Sequence, residues 1–326
     1  MDGIIKVQGL KKTFKVPKRD KAGFIPAVKS LFKREFINVH ALDGVDMNIG
    51  KGEIRGLIGP NGAGKSTMIK ILSGILYPSE GVVDVMGFTP WLQRETYVKN
   101  LGVVFGQRTQ LWWDLPAIDT FMLNKKMYGI PDKSFNENIG YFKKLLDIEE
   151  VVKRPVRQLS LGERMKCELV CAMLHEPQLI YLDEPTIGLD IITKENVRNF
   201  IRQVRADKQT TFILTTHDLD DIQNLCENVT IINKGQVVYD SSLEGLRDFF
   251  TKKKIVNVKF SRSIDPAELD RFDVIYRDSM SAGIEIRLEE KDLQQEVSRI
   301  FSILPVHDID ITSIGIEEVI KQIYKE

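Results

Sequence analysis

Apolar and polar residues recur along this chain at two different periods, and the changes of period mark its elements. Ile4–Leu10 is strand-like, and Ala41–Ile49 alternates apolar and polar side chains as a strand with one buried face does. Glu53–Ile58 reads as a short buried strand that runs directly into a glycine-rich loop. Apolar positions 68, 69, 71, 72, 75 and 76 then follow helical spacing and predict a helix over Ser66–Leu76. Val82–Met86 and Leu101–Phe105 read as strands. From about Asp114 to Leu174 the period is helical, with Phe142, Leu145, Leu146 and Ile148 marking one amphipathic segment and Met165–Leu174 another. Leu179–Leu182, Thr211–Thr215 and Val229–Ile232 are three more apolar strands, separated by helical spacing at Lys194–Arg205 and Leu219–Leu225. Strand and helix in alternation predict an α/β fold, with a mainly parallel sheet covered by helices on both faces and a helical subdomain inserted at about 114–175.

The pattern changes after Asp240. Ile255–Phe260, Phe272–Arg277 and Gly283–Leu288 read as strands, Leu293–Leu304 as a helix, Asp308–Thr312 as a short strand and Ile316–Tyr324 as a final helix. This predicts a small α+β domain over 246–326, without a chemical motif, behind a larger domain over 1–245. A boundary near 240–250 suits the length of 326 residues, which is too great for one small domain.

Composition adds limits. Apolar residues make up 43% and charged residues 28%, an ordinary globular balance, and the 46 basic residues equal the 46 acidic ones, which argues against wholesale nucleic-acid binding. The balance hides a basic insertion at about 15–40: Lys11–Phe36 holds nine Lys or Arg against Asp20 and Glu35, a net +7. Within it Lys29, Lys33 and Arg34 flank Val28, Leu31, Phe32 and Phe36, a pattern that suits anionic headgroups, a protein partner or a solvated loop. No apolar run approaches the ~18–20 residues that span a bilayer. The opening Met1–Lys6 lacks a basic region leading into an apolar stretch, so no secretory signal is expected. Cys167, Cys171 and Cys226 make no disulfide framework and fit a reducing cytoplasm; Cys167 and Cys171, four apart on a helix, are expected as small buried residues rather than metal ligands.

Two segments carry chemistry on their own. Gly59-Pro60-Asn61-Gly62-Ala63-Gly64-Lys65-Ser66-Thr67 matches the phosphate-loop (Walker A) pattern in full, after a strand and before a helix. Its glycines let backbone N–H groups converge on phosphate oxygens, and the helix N-terminus adds positive partial charge. Lys65 is placed to reach the outer phosphates and the Ser66 hydroxyl to ligate Mg²⁺. Asp183 and Glu184 follow four apolar residues and so emerge at the carboxyl end of a central strand, where α/β ligand sites lie. Asp183 suits Mg²⁺ and Glu184 suits orienting and deprotonating an attacking water.

With these segments, the pentapeptide Leu159-Ser160-Leu161-Gly162-Glu163 and the run Ile187-Gly188-Leu189-Asp190 resemble, over about residues 1–240, the ATP-binding subunit of an ABC transporter, a P-loop NTPase fold. The resemblance implies the remaining roles. Ser160 and Gly162 belong to the signature turn that closes over the ATP of a second subunit. Asp190 lies in the D-loop near the dimer interface. Gln107, after the strand Leu101–Phe105, is the Q-loop residue at Mg²⁺, and His217, after Thr211–Thr215, is the switch histidine at the γ-phosphate. Phe14 occupies the position of the adenine-stacking aromatic or is a core residue. Asn61, Gly62, Ala63, Gly64 and Thr67 complete the phosphate cradle around Lys65 and Ser66.

The same resemblance implies ATP and Mg²⁺, a second ATPase subunit, identical or related, and separate transmembrane permease subunits that hold the chain at the cytoplasmic face of the membrane. The basic insertion, the carboxyl-terminal domain and Gly106–Pro116 are similar to NatA-like and drug-export ATPases, so export is the expected direction, with import or a soluble role on nucleic acid or the ribosome as alternatives. Trp112 and Trp113, just past the Q-loop, fit an interface anchor or the core of the helical subdomain. The family's usual pentapeptide is Leu-Ser-Gly-Gly-Gln, so this one departs at Leu161 and Glu163. Arg164 or Lys166 is expected to offset the Glu163 carboxylate.

Overall fold

The computed structural model describes residues 3–17, 36–106, 108–216, 218–246, 253–287 and 292–313. Its chain divides into two compact units, 1–240 and 241–326. The first begins with a longer ladder than its opening apolar run suggests. β1 (Gly3–Pro17) and β2 (Phe36–Gly50) pair antiparallel from Gly3 opposite Gly50 to Pro17 opposite Phe36. Lys11–Phe14, beyond the strand-like Ile4–Leu10, continue the strand. Alternating side chains on both strands, with Phe14 opposite Val39 and Val16 opposite Ile37, supply the cross-strand pairs that a segment read alone does not reveal. Residues 18–35 of the basic insertion lie outside the described residues. β3 (Ile54–Ile58) leaves this sheet, whereas β4 (Glu80–Val85) returns to it and pairs antiparallel with the free side of β1. The Val82–Met86 segment therefore belongs to a three-stranded sheet of order β2-β1-β4 and not to the parallel one.

The second sheet runs β5-β6-β7-β3-β8-β9, built from β5 (Leu101–Phe105), β6 (Leu179–Asp183), β7 (Thr211–Thr215), β8 (Asn228–Asn233) and β9 (Gln236–Ser242). Its pairs β5–β6, β6–β7, β7–β3 and β3–β8 are parallel. β3 and β7 are buried at every position, Arg55 and the two end threonines of β7 included, as strands covered on both faces are. The register places Leu57 beside Thr215 and Thr215 beside Asp183, so the ends of β3, β7 and β6 stand in one row.

Helices pack around these sheets. α1 (Lys65–Leu72) stops four residues before the expected Leu76, because Gly74 turns left-handed at φ +70 and its carbonyl accepts from the Arg94 guanidinium at 2.7 Å. The inserted block contains α2 (Ala117–Tyr128), α3 (Asp132–Leu146) and α4 (Leu161–Met173). Phe135, Ile139, Phe142 and Leu146 form one buried stripe of α3, and the Phe142 ring lies 5.8 Å from Phe200 of α5 (Ile191–Lys208). α6 (Leu219–Leu225) follows β7. The thiols of Cys167, Cys171 and Cys226 are buried, and burial pushes that of Cys167 up to about 12.

The second unit is an antiparallel sheet of order β11-β12-β10-β13, from β10 (Lys253–Phe260), β11 (Val274–Arg277), β12 (Ser281–Arg287) and β13 (Val306–Ser313), with α7 (Leu293–Ile303). Val256, Val258 and Phe260 alternate onto one face and meet Ile284, Ile286, Ile300 and Leu304 in a core of their own. The expected helix at Ile316–Tyr324 lies outside the described residues.

His175, just after α4, is a titratable group committed to the interior. Its ring stacks on Tyr128 at 4.0 Å and its Nε2 lies 3.0 Å from the Leu101 carbonyl oxygen. Burial holds the imidazole below its usual range, and the Leu101 carbonyl only partly opposes this. A histidine whose folded pKa is depressed contributes fully above its unfolded value, near 6.5, and that contribution is lost as pH falls toward the lower folded value. We therefore expect the urea midpoint to fall between about pH 7 and about pH 5.5, and His175→Phe to remove part of that slope. Equal slopes in the two proteins would contradict the assignment.

Candidate active site

The loop after β3 is shaped by close backbone contacts. At Gly64 φ is +114, and a Cβ there would lie 2.5 Å from the Ala41 carbonyl oxygen, so only glycine brings β2 this near to the start of α1. Lys65 is 9% exposed and folds back over the loop, its Nζ donating to the carbonyls of Gly59 at 2.6 Å and Pro60 at 3.1 Å. Burial lowers the Lys65 pKa, while Glu184 and Asp183 oppose the shift. The first turn of α1 carries no acidic residue to compete for an anion at its N-terminus.

These residues line a cavity of about 530 Å³ whose walls include Asn61, Gly62, Ala63, Gly64, Lys65, Ser66, Thr67, Asp183 and Glu184. Ala41, Lys70, Ile75, Phe105 and Arg108 also line it, residues to which the sequence pattern assigns no ligand role. Asp183 ends β6 and is held from both sides: the Thr215 hydroxyl donates to its carboxylate at 2.5 Å, and the Gly106 N–H donates to its carbonyl at 2.8 Å. A Cβ on Gly106 would meet that carbonyl oxygen at 2.6 Å. Glu184 sits at φ +55, left-handed for a non-glycine residue, while its N–H donates to the Thr215 carbonyl at 2.9 Å. Such a conformation costs about 1–3 kcal/mol and persists only where the surroundings impose it, most often at functional sites. The Ser66 hydroxyl and the Asp183 carboxylate give hard-oxygen donors at one cavity. That set fits Mg²⁺, which takes one or two protein oxygens and completes its shell with water and phosphate.

Of the remaining sequence-predicted residues, those described are not among the residues lining this cavity. Phe14 is not among its lining residues; it lies on the β1–β2 ribbon with the Lys12 ammonium 5.0 Å from its ring centroid, while Ala41 of β2 lines the cavity. Gln107 and His217 lie outside the described residues. Ser160, Gly162 and Asp190 form a second cluster. Ser160 caps α4 and Asp190 caps α5, each accepting from the backbone N–H three residues on. A Cβ on Gly162 would lie 2.7 Å from the Thr193 methyl, and Thr193 donates its hydroxyl to Asp190 at 2.7 Å, so the Ser160–Gly162 turn and the helix start at Asp190 meet within one chain.

Within the signature turn the neutralising partner differs from the expectation. Glu163 pairs with Arg154, nine residues earlier, whereas the Arg164 guanidinium lies 5.8 Å from the Trp113 ring centroid. Burial opposes ionisation of Glu163, but the Ser160 N–H and Arg154 outweigh it and hold the carboxyl below its usual range. Spacing could not disclose Arg154, because its approach depends on how the segment before α4 folds. Two further groupings are equally nonlocal. Asp221 is fully buried and accepts from Thr186 in the loop after Glu184, from Thr216 beside His217, and from Arg198 of α5. Buried Glu168 of α4 accepts from Thr109 and from the Gln110 N–H, just past Gln107.

The family model described as ABC transporter matches residues 42–187. The ABC transporter ATP-binding protein NatA of Bacillus subtilis is 35% identical over 208 residues, covering 64% of this chain and 84% of that protein. Two relatives with differently named roles each match over 72% of their own length. They are the daunorubicin resistance ATP-binding protein DrrA3 of Streptomyces coeruleorubidus, 28% identical over 76% of this chain, and the methionine import ATP-binding protein MetN 2 of Enterococcus faecalis, 27% identical over 74%. Among solved structures, cbiO1 from Clostridium perfringens, part of the ABC transporter complex cbiONQ, superposes with a TM-score of 0.62 at 26% identity, covering 76% of this chain and 91% of that one. The chain thus belongs to the ABC transporter family, as an ATP-binding protein and ATPase of the NatA type.

Proposed function

We propose that the chain is the motor of a membrane exporter, in which two ATPase subunits close head to tail over two ATP molecules and drive separate permease subunits. One observation carries the reading: Ser160, Gly162 and Asp190 are not among the residues lining the cavity that holds Lys65, Asp183 and Glu184. A second subunit brings the missing cluster to each cavity. Apolar side chains beside that cluster support this face as an interface, since Leu161 is exposed and Ile191 and Ile192 are 86% and 76% exposed.

In this reading the P-loop N–H groups and Lys65 hold the phosphates, and Lys65 leaves the carbonyls of Gly59 and Pro60 to do so. Ser66, Asp183 and Gln107 would hold Mg²⁺, which would neutralise phosphate charge. Glu184 orients a water and takes its proton as the water oxygen attacks the γ-phosphorus and the bond to ADP breaks. His217 contacts the γ-phosphate, and the partner's signature turn covers it. Among the described residues no helix is long and apolar enough to cross a membrane. In this reading the translocation path is formed by the permease subunits. Trp112 and Trp113, both about half exposed beside Leu115, supply an anchor for a permease at the cytoplasmic face. The drug-resistance relative favours export. The methionine-import relative favours the second reading, an importer motor with the same ATP chemistry.

Glu184→Gln is expected to bind ATP normally, to lose about 100-fold or more of its turnover, and to accumulate as an ATP-dependent dimer by size-exclusion chromatography. Turnover at the wild-type rate would remove Glu184 as the base. Lys65→Ala should weaken ATP binding in calorimetry more than about tenfold, as expected for loss of a charge-assisted contact to phosphate; unchanged affinity would sink the phosphate-loop assignment.

A further inference from the structure

Glu163 poses an electrostatic problem. It is the third residue of α4, at the turn that in the proposed dimer faces a triphosphate. A helix N-terminus carries roughly half a positive charge, and a full carboxylate three residues in would leave the turn net negative by about half a charge. An uncompensated carboxylate here repels the polyanion that the turn must cover.

The structure holds the carboxylate in a defined frame. Its Oε2 accepts from the Ser160 N–H at 2.9 Å, while the Ser160 hydroxyl accepts from the Glu163 N–H at 3.2 Å, a complete capping box. The other oxygen, Oε1, pairs with the Arg154 guanidinium. Arg154 itself is constrained. It leaves a 3₁₀ turn (Val151–Lys153) with φ −92 and ψ 144, the extended region to which the following Pro155 restricts it, and its N–H donates to the Val151 carbonyl at 3.1 Å. The side chains of Arg154 and Glu163 are 43% and 30% exposed, so the pair adds little to stability. Its consequence is for charge: the guanidinium returns the turn to the positive sign of an unsubstituted helix start.

We propose that Arg154 is a positioning residue of the composite ATP site, which cancels the charge of Glu163 and holds the Ser160–Gly162 turn ready for the partner's triphosphate. The inference rests on the head-to-tail reading. It makes Arg154 and Glu163 one unit: a carboxylate in the signature needs the arginine, and an amide does not. Losing Arg154 therefore harms closure only while Glu163 is charged.

The test uses the full chain carrying Glu184→Gln and reads, by light scattering, the ATP concentration that gives half-maximal dimerisation. Arg154→Ala is expected to raise that concentration about tenfold by placing like charges together, Glu163→Gln alone to leave it within about twofold, and the double variant to return close to the parent. ATP binding to the single chain, measured by calorimetry, stays unchanged in all three and shows that they are folded. An Arg154→Ala protein that dimerises like the parent, or a double variant as impaired as Arg154→Ala, overturns the proposal. Ser160→Arg in the same background separates the two levels. If it still dimerises normally, the head-to-tail reading itself fails. If it blocks dimerisation while Arg154→Ala does not, the proposal fails and the reading stands.

Discussion

The active cavity depends on the parallel register of three strand ends. Leu57, Thr215 and Asp183 lie side by side across β3, β7 and β6, which sets the phosphate loop next to the acidic pair. Side chains alternate between the faces of a strand, so a slip of one residue would turn Asp183 away and break its bond from Thr215. The buried apolar residues of β3, β6 and β7 specify that register, and Gly106 lets β5 close against the Asp183 carbonyl. The left-handed Glu184 is the visible cost of steering a carboxylate into the cavity.

A second principle governs the other cluster. Helix starts at Ser160 and Asp190 are completed by their own side chains, and they meet through Gly162 and Thr193 within one chain. Nothing about that pairing needs the phosphate loop of the same chain. What links the two clusters inside the chain is buried polar structure. Asp221 ties the loop after Glu184 to the strand end before His217, and Glu168 ties the signature helix to the segment after Gln107. Buried carboxylates of this kind are tolerated because several donors from different elements satisfy them at once.

The phosphate loop was legible because its chemistry is contiguous: nine successive residues, a strand before and a helix after. The acidic pair was legible because four apolar residues announce a central strand end. The strands of the small second domain could be read from alternation, with Val256, Val258 and Phe260 on the inner face. What escaped was nonlocal. The full length of β1 and β2 depends on pairing across an insertion, the sheet membership of β4 depends on which edge was free, and α1 ends early because of a left-handed glycine and a distant arginine. Arg154, rather than Arg164 or Lys166, neutralises Glu163 for the same reason: nearness in sequence on a helix is not nearness in charge, and the Arg164 guanidinium lies by Trp113.

In the proposed dimer each ATP site is assembled from two chains, the phosphate cavity from one and the signature turn from the other. Mixing two inactive variants, Lys65→Ala and Ser160→Arg, tests this most directly. Each homodimer has two damaged sites, whereas a heterodimer has one site with both Lys65 and Ser160 intact. An equal mixture is expected to regain up to about a quarter of the wild-type ATPase rate, as random pairing of a twofold assembly requires. A mixture as inactive as its two components would contradict it.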